Sequence, residues 1–242
     1  MAEGRSVVEW FGNSELFGGA LFVCRKEMEE TERLHFETRE EWLEGRMQGI
    51  GASEAAAVVG MSPWMSKLEL WRLKVGAEKA RDLSGSAAVS RGVRMEPALR
   101  SLYAAMHPNC TVDYFPYDIL YQAERPYIFA TLDGEITDEH GRKGVLEIKT
   151  SSPNGKAGWA KWDGQIPSNY FCQILHQMLA TGYEFVDLMA SLENMDGDLS
   201  IRTYHFEGTE QASNMAWLLE QETGFYQNNV LTGVPPAAIL RL

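Results

Sequence analysis

One short stretch carries residue types and spacings suited to holding a hard cation and opening a phosphodiester. Asp133 lies in Leu132-Asp133-Gly134-Glu135, and after a hairpin comes Leu146-Glu147-Ile148-Lys149. Side chains two apart on a strand share a face, so Glu147 and Lys149 project together while Ile148 turns into the core. If the preceding strand is the antiparallel partner, Asp133 joins Glu147 around a cation that prefers oxygen ligands, with the Ile148 carbonyl as a further ligand. Such a site positions and acidifies a water for in-line attack, while the cation and the Lys149 ammonium stabilise the charge on a pentacoordinate phosphorus. Taken alone, Glu147 and Lys149 would more often be a solvated edge-strand pair, so the reading depends on what other segments bring to them.

The elements that must position these groups can be read from local signals. Thr38-Arg39-Glu40-Glu41 has the spacing of a capping box and predicts a helix to about Met47, broken by Gly49 and Gly51. Ser53 is expected to cap a short Ala-rich helix, Glu54 to Val59, closed by Gly60. A second capping box, Ser66-Lys67-Leu68-Glu69, opens a helix that Gly76 stops, and a loop over 77–90 precedes a helix from about Ser90 to Met106 that Pro97 should kink or restart. The period then changes. Cys110 to Tyr117, Ile128 to Leu132, Gly134 to Thr137 and Gly144 to Thr150 read as strands of a largely antiparallel meander, with a hairpin loop over Asp138 to Arg142. Ser168 is expected to cap a helix from Asn169 to Thr181, closed by Gly182. Two strands flank the turn Met195-Asp196-Gly197-Asp198, and Thr209 begins a last helix. This order predicts an α/β (α+β) fold, a mixed central sheet flanked by helices, forming one domain over 37–242. Residues 1–36 hold a β-like run (Val7 to Phe11), an apolar piece (Leu16 to Cys24) and a charged stretch (Arg25 to Arg33), and carry no readable role.

Composition narrows the function. The 242 residues carry 22 Lys and Arg against 34 Asp and Glu, a net charge of -12 that excludes a uniformly basic nucleic-acid binder but allows a local basic patch. Between Gly141 and Trp162 there is such a patch, where Arg142, Lys143, Lys149, Lys156 and Lys161 face only Glu147. The acid excess sits beyond residue 193, so phosphates have a positive lane and binding should weaken with salt. Cys24, Cys110 and Cys172 are too scattered for a zinc or iron-sulfur site or a disulfide framework, which suits a reducing cytoplasm. No membrane span or secretory leader is expected. Among the histidines, His176 reads as a packing residue with a satisfied ring, and His35, His107, His140 and His205 form no ligand set. Trp159 and Trp162 are candidates for stacking on an unpaired base, although loop packing is the better reading of both.

Further segments bring a family into view. Arg46-Met47-Gln48-Gly49-Ile50-Gly51-Ala52-Ser53-Glu54, Arg91-Gly92-Val93-Arg94-Met95-Glu96-Pro97, the Asp133 and Glu147-Ile148-Lys149 segments, and Tyr170-Phe171-Cys172-Gln173-Ile174-Leu175-His176-Gln177-Met178 follow one another in order. Together they resemble the successive motifs of the YqaJ-like viral recombinase family, which includes lambda exonuclease and belongs to the PD-(D/E)xK nuclease superfamily. The resemblance covers roughly residues 38 to 190. It implies that Glu96, Asp133, Glu147 and the Ile148 carbonyl hold one or two Mg²⁺ or Mn²⁺ ions, that Lys149 is the catalytic lysine, and that Gln173 organises the site, with Tyr170 one turn earlier. It also implies that Arg46 and Ser53 hold a terminal 5′-phosphate, a role that a guanidinium fork and a hydroxyl at a helix N-terminus suit. Thr131, Lys156 and Lys161 complete the expected DNA contacts. Leu132 stands where the superfamily signature often has proline, and Thr131 where relatives often have serine, which touches local backbone geometry and no metal ligand.

The resemblance thus implies a metal-dependent 5′–3′ exonuclease on double-stranded DNA ends. It would release 5′-mononucleotides and leave 3′ tails for a single-strand annealing partner in phage-type recombination, with a homotrimer and a phage or prophage origin in a bacterial cytoplasm as further expectations. Two alternatives are a related endonuclease of restriction or junction-cleaving type, and a non-catalytic acidic DNA mimic suggested by the net charge.

Overall fold

The computed structural model describes residues 31–80 and 85–237. The runs Val7 to Phe11 and Leu16 to Cys24, and the charged stretch up to residue 30, lie outside the described residues. Thr31–His35, which carried no assignment from sequence, forms strand β1. Capping chemistry then starts α1 (Arg39–Gly45): Thr38 Oγ1 accepts the Glu41 amide at 3.2 Å, and Glu41 Oε2 accepts the Thr38 amide at 3.1 Å. A 3₁₀ turn over Arg46–Gln48 leads into the two-residue strand β2 (Ile50–Gly51).

Ser53 does not cap the next helix. It sits inside a 3₁₀ turn, Ala52–Glu54, in which Glu54 accepts the amide of the N-cap Gly51 at 2.8 Å, and α2 (Ala55–Val58) follows directly with no side-chain cap of its own. Ser66 and Glu69 form their capping box at the head of α3 (Lys67–Lys74), and Gly76, at φ +72°, supplies the left-handed residue after its end. Helix α4 (Ala87–Met106) begins earlier than expected because Ser86 Oγ accepts the Val89 amide. It runs through Pro97, whose carbonyl accepts a hydrogen bond from Ser101 Oγ at 2.9 Å.

The expected single sheet is two. The predicted strand over Cys110 to Tyr117 shortens to β3 (Thr111–Asp113), because Tyr117 adopts φ +64° and turns the chain. There follow β4 (Asp118–Gln122), β5 (Ile128–Ala130), β6 (Gly134–Thr137) and β7 (Lys143–Ser151). A short helix α5 (Gly155–Ala160), missed from sequence, precedes α6 (Ser168–Thr181). Pro167 rather than Ser168 occupies its N-cap, and Gly182 at φ +66° closes it. Strands β8 (Phe185–Glu193) and β9 (Leu199–Glu207) flank the expected turn, and α7 (Ala212–Phe225) follows a 3₁₀ turn. The four-stranded sheet has the order β1-β4-β5-β2 and the five-stranded sheet β3-β6-β7-β8-β9. Both are mixed. The meander β3-β6-β7 is antiparallel as expected, whereas β7 pairs β8 in parallel through the α6 crossover.

The five-stranded sheet is buried on both faces. Val145, Val186, Leu188 and Ala190 pack on one side with Ile174, Leu175 and Met178 of α6, and Leu146, Ile148 and Met189 pack on the other with Leu99 and Tyr103 of α4. Strand β7 therefore lies centrally, with alternate residues committed to opposite helices. Beneath α6, His176 is fully buried, its Nδ1 2.7 Å from Glu222 Oε1 and its Nε2 2.9 Å from the Phe129 carbonyl oxygen, as its packing role requires.

Candidate active site

The register of β6 and β7 sets the site. Gly134 pairs with Leu146, so Asp133, just before β6, meets the middle of β7, and its Oδ2 accepts the Ile148 amide at 2.8 Å. Glu147 and Lys149 project from the α6 face of β7, the carboxylate 2% exposed, and Lys149 Nζ donates to Glu147 Oε1. Gln173 Nε2 reaches the same oxygen at 2.7 Å, and Gln177, one turn on, donates to Oε2. Glu96, from α4, joins them across a cavity of about 300 Å³ lined also by Gly92, Thr131, Ile148 and Thr150. The five residues expected to do chemistry thus share one cavity.

Its electrostatics favour a cation. Burial, and then the Glu147 carboxylate, push the Asp133 carboxyl well above the usual range, with Lys149 and the Ile148 amide pulling the other way. Burial also raises Glu96, against the opposing pull of Arg100. Lys149 is raised: burial disfavours its charge, but Glu147 and Asp133 outweigh that cost, so it remains an ammonium. Its Nζ sits 4.9 Å from the centre of the Tyr170 ring. Three carboxylates thus crowd about one ammonium, and the all-oxygen donor set, with the Ile148 carbonyl, has the chemistry of a Mg²⁺ or Mn²⁺ site. Among the described residues no three His, Cys, Asp or Glu side chains close around a single point, because Glu96 is turned to Arg100 and Glu147 to Lys149 and the two glutamines. The residues fit the ion by type, with Glu96 Oε2 and Asp133 Oδ1 outside the hydrogen bonds made by the described residues.

The second expected cluster lies beside the first. Arg46 Nη2 is 3.4 Å from Ser53 Oγ, and its guanidinium lies over the Trp42 ring at 4.9 Å. Burial lowers the Arg46 pKa, with Glu54 opposing. Trp42 Nε1 in turn donates to Thr131 Oγ1 at 3.0 Å, which ties this cluster to the cavity rim. The Thr131 hydroxyl gives its proton to the Asp118 carbonyl at 2.9 Å, so what Thr131 visibly does is hold Trp42 and the frame. Lys156 and Lys161 are exposed and line no part of the carboxylate cavity. Trp162, a stacking candidate from sequence, is 2% exposed and packs on Tyr170 and Tyr204, in line with loop packing. Trp159 is partly buried, with the Arg202 guanidinium 5.7 Å from its ring centre.

Sequence reasoning passed over four residues. Arg100 donates to Glu96 and to the Asp133 carbonyl and covers the Tyr114 ring at 3.6 Å, joining α4 to the β6 approach. Lys74, its side chain 2% exposed, donates to Glu54 at 2.7 Å and to the Arg46 carbonyl at 2.9 Å. Trp42 and Gln177 complete the set. Only Arg100 and Gln177 left a local signal, each four residues from a recognised partner on its helix.

Residues 41–184 match the YqaJ-like viral recombinase domain, well over half of the chain. The chain belongs to the YqaJ-like viral recombinase family. Every member of both clusters lies inside the matched span of this YqaJ-like chain. The uncharacterized protein YqaJ of Bacillus subtilis (strain 168) is 28% identical over 205 residues, which are 83% of this chain and 59% of that protein. The chain thus spans about three-fifths of the length of that relative. In fold it is similar to an alkaline exonuclease (LHK-Exo) from Laribacter hongkongensis, with a TM-score of 0.59 at 20% identity over 81% of this chain and 94% of that one. LHK-Exo in complex with dAMP is similar at a TM-score of 0.53 and 20% identity, covering 80% and 98%. A phage related exonuclease from Haemophilus somnus 129PT is similar at 0.51 and 12% identity, covering 76% and 96%. No helix among the described residues is long and apolar enough to cross a membrane.

Proposed function

We propose that this chain is a divalent-cation-dependent exonuclease that degrades one strand of a duplex DNA end in the 5′ to 3′ direction, releasing 5′-mononucleotides. The observation that carries the reading is the convergence of Glu96, Asp133, Glu147, Lys149 and Gln173 on one cavity, whose rim is tied through Thr131 and Trp42 to Arg46 and Ser53. A Mg²⁺ or Mn²⁺ held by Asp133, Glu147, Glu96 and the Ile148 carbonyl would acidify the attacking water and neutralise charge on the scissile phosphate. Lys149, kept protonated by its carboxylate neighbours, offers its ammonium to the phosphoryl oxygens as negative charge grows on them. Gln173 and Gln177 donate to the two Glu147 oxygens and so hold the carboxylate at the cavity. Arg46 and Ser53 grip the terminal 5′-phosphate and fix how far the end enters. The resulting 3′ tail would pass to a single-strand annealing partner, and a homotrimer enclosing the duplex is consistent with the family.

Digestion of linear duplex labelled at each end in turn, with closed circular duplex as companion substrate, tests this reading. Nucleotide release from the 5′ end with the circle left intact is expected, lost in Asp133→Ala, and Arg46→Ala should erase the preference for 5′-phosphorylated over 5′-hydroxyl ends. Cleavage of the circle would favour an endonuclease, no metal-dependent turnover would favour a DNA mimic, and full activity in Asp133→Ala would refute the site.

A further inference from the structure

Trp64 has no part in the site described so far, yet it is 72% exposed, more than any other described tryptophan, tyrosine or phenylalanine. Its loop is pinned. The Met61 and Ser62 amides both bond the Ala56 carbonyl, at 2.8 and 3.0 Å, and Ser62 Oγ accepts the Trp64 and Met65 amides at 3.3 and 3.2 Å. Pro63 fixes φ just before the indole, and Ser66 caps α3 just after it. The ring leans on Tyr170, with centroids 6.3 Å apart and planes at 40°, and Tyr170 is the ring that faces the Lys149 ammonium from 4.9 Å. Pro63, the residue before Trp64, lines a groove of about 250 Å³ together with Met61, Lys161, Gln165 and Asn169. An aromatic path therefore runs from solvent to the catalytic ammonium, beside a groove edged by a lysine.

We infer that Trp64 stacks on a nucleobase of the strand whose phosphate enters the carboxylate cavity, while Lys161 meets the sugar-phosphate backbone along the adjoining groove. This rests on the nuclease reading above and adds a residue that holds the DNA. The chemistry fits: a large ring presented on an anchored loop loses little freedom on binding, every base offers a π face, and the nearby cation suits the phosphate that comes with it. Stacking of this kind tolerates sequence, so Trp64 grips the strand without selecting a base.

The test compares wild type, Trp64→Ala and Trp64→Phe on 5′-phosphorylated linear duplex, in steady-state kinetics and in anisotropy of a fluorescein-labelled duplex with chelator at low salt. Trp64→Ala should raise KM and the dissociation constant about 5- to 150-fold, leave kcat within about twofold, and leave the melting temperature unchanged because so little of the residue is buried. Trp64→Phe should recover most of the loss. Unchanged KM and affinity in Trp64→Ala, or a Phe variant no better than Ala, would overturn the inference while wild-type nucleotide release still upheld the nuclease reading. A wild-type protein that releases no nucleotide would overturn both.

Discussion

Replacing His176 by leucine should be among the most damaging single changes outside the cavity. His176 and Glu222 are both 0% exposed and join α6 to α7, while the second ring nitrogen of His176 holds the Phe129 carbonyl of β5. An isobutyl side chain in place of the imidazole would leave a buried carboxylate with no cation and a buried carbonyl with no donor. Removing one partner of a buried pair costs about 3–5 kcal/mol. At about 2–4 °C per kcal/mol for a domain of this size, the melting temperature should fall by about 6–20 °C. The paired change His176→Leu with Glu222→Leu removes both polar groups together and should recover much of that loss, giving a favourable coupling in the double-mutant cycle. The pH dependence has a definite sign. Burial lowers the His176 pKa, but the Glu222 carboxylate and the Phe129 carbonyl outweigh it and raise the folded-state value above the ordinary 6.5. The stability this lends is therefore complete below about pH 6.5 and is lost as pH rises through the folded value, at up to about 1.4 kcal/mol per pH unit. Thermal melts by circular dichroism from pH 6 to 9 would measure the wild-type advantage over the double variant. A single-variant drop under about 2 °C, or a wild-type advantage that grows with pH, would refute the argument.

Two further outcomes follow from close packing near the site. Gly144→Ala would set a methyl carbon 2.3 Å from the Phe185 ring, so overpacking should cost about 1–3 kcal/mol, and Phe185→Leu in the same chain should recover part of it in denaturant titration. Lys74→Met removes the ammonium that holds both Glu54 and the Arg46 carbonyl; stability should fall by about 3–5 kcal/mol, and the preference for 5′-phosphorylated ends should weaken even though Arg46 is intact, as competition between the two end types would show.

The parts legible in the sequence are those whose cause is local. Thr38 with Glu41 and Ser66 with Glu69 start helices through partners three residues away, and Glu147 and Lys149 share a face by strand period alone. The pairing of Asp133 with β7 followed from a single tight hairpin. Strand β4 escaped notice because its buried Asp118 looks out of place until Arg33 and His35, more than eighty residues earlier, supply its charge partners. Lys74 and Trp42 escaped for the same reason: each acts on a residue 28 or 89 positions away, at Arg46 and Thr131. Ser53 was named for the phosphate cluster, but its reading as a helix cap failed because the chain already coils from Ala52, with Gly51 as the N-cap and Ser53 inside the 3₁₀ turn.

Residues 131–133 link β5 of one sheet to β6 of the other. Arg46 and Ser53 are anchored beside the first sheet through β2, and Glu147 and Lys149 belong to the second. On the proposed nuclease reading this three-residue join would work as a ruler: the interval from the gripped end of a strand to its point of scission would be the offset between two sheets. Lengthening the join by one residue would move that point along the strand and leave both clusters chemically whole.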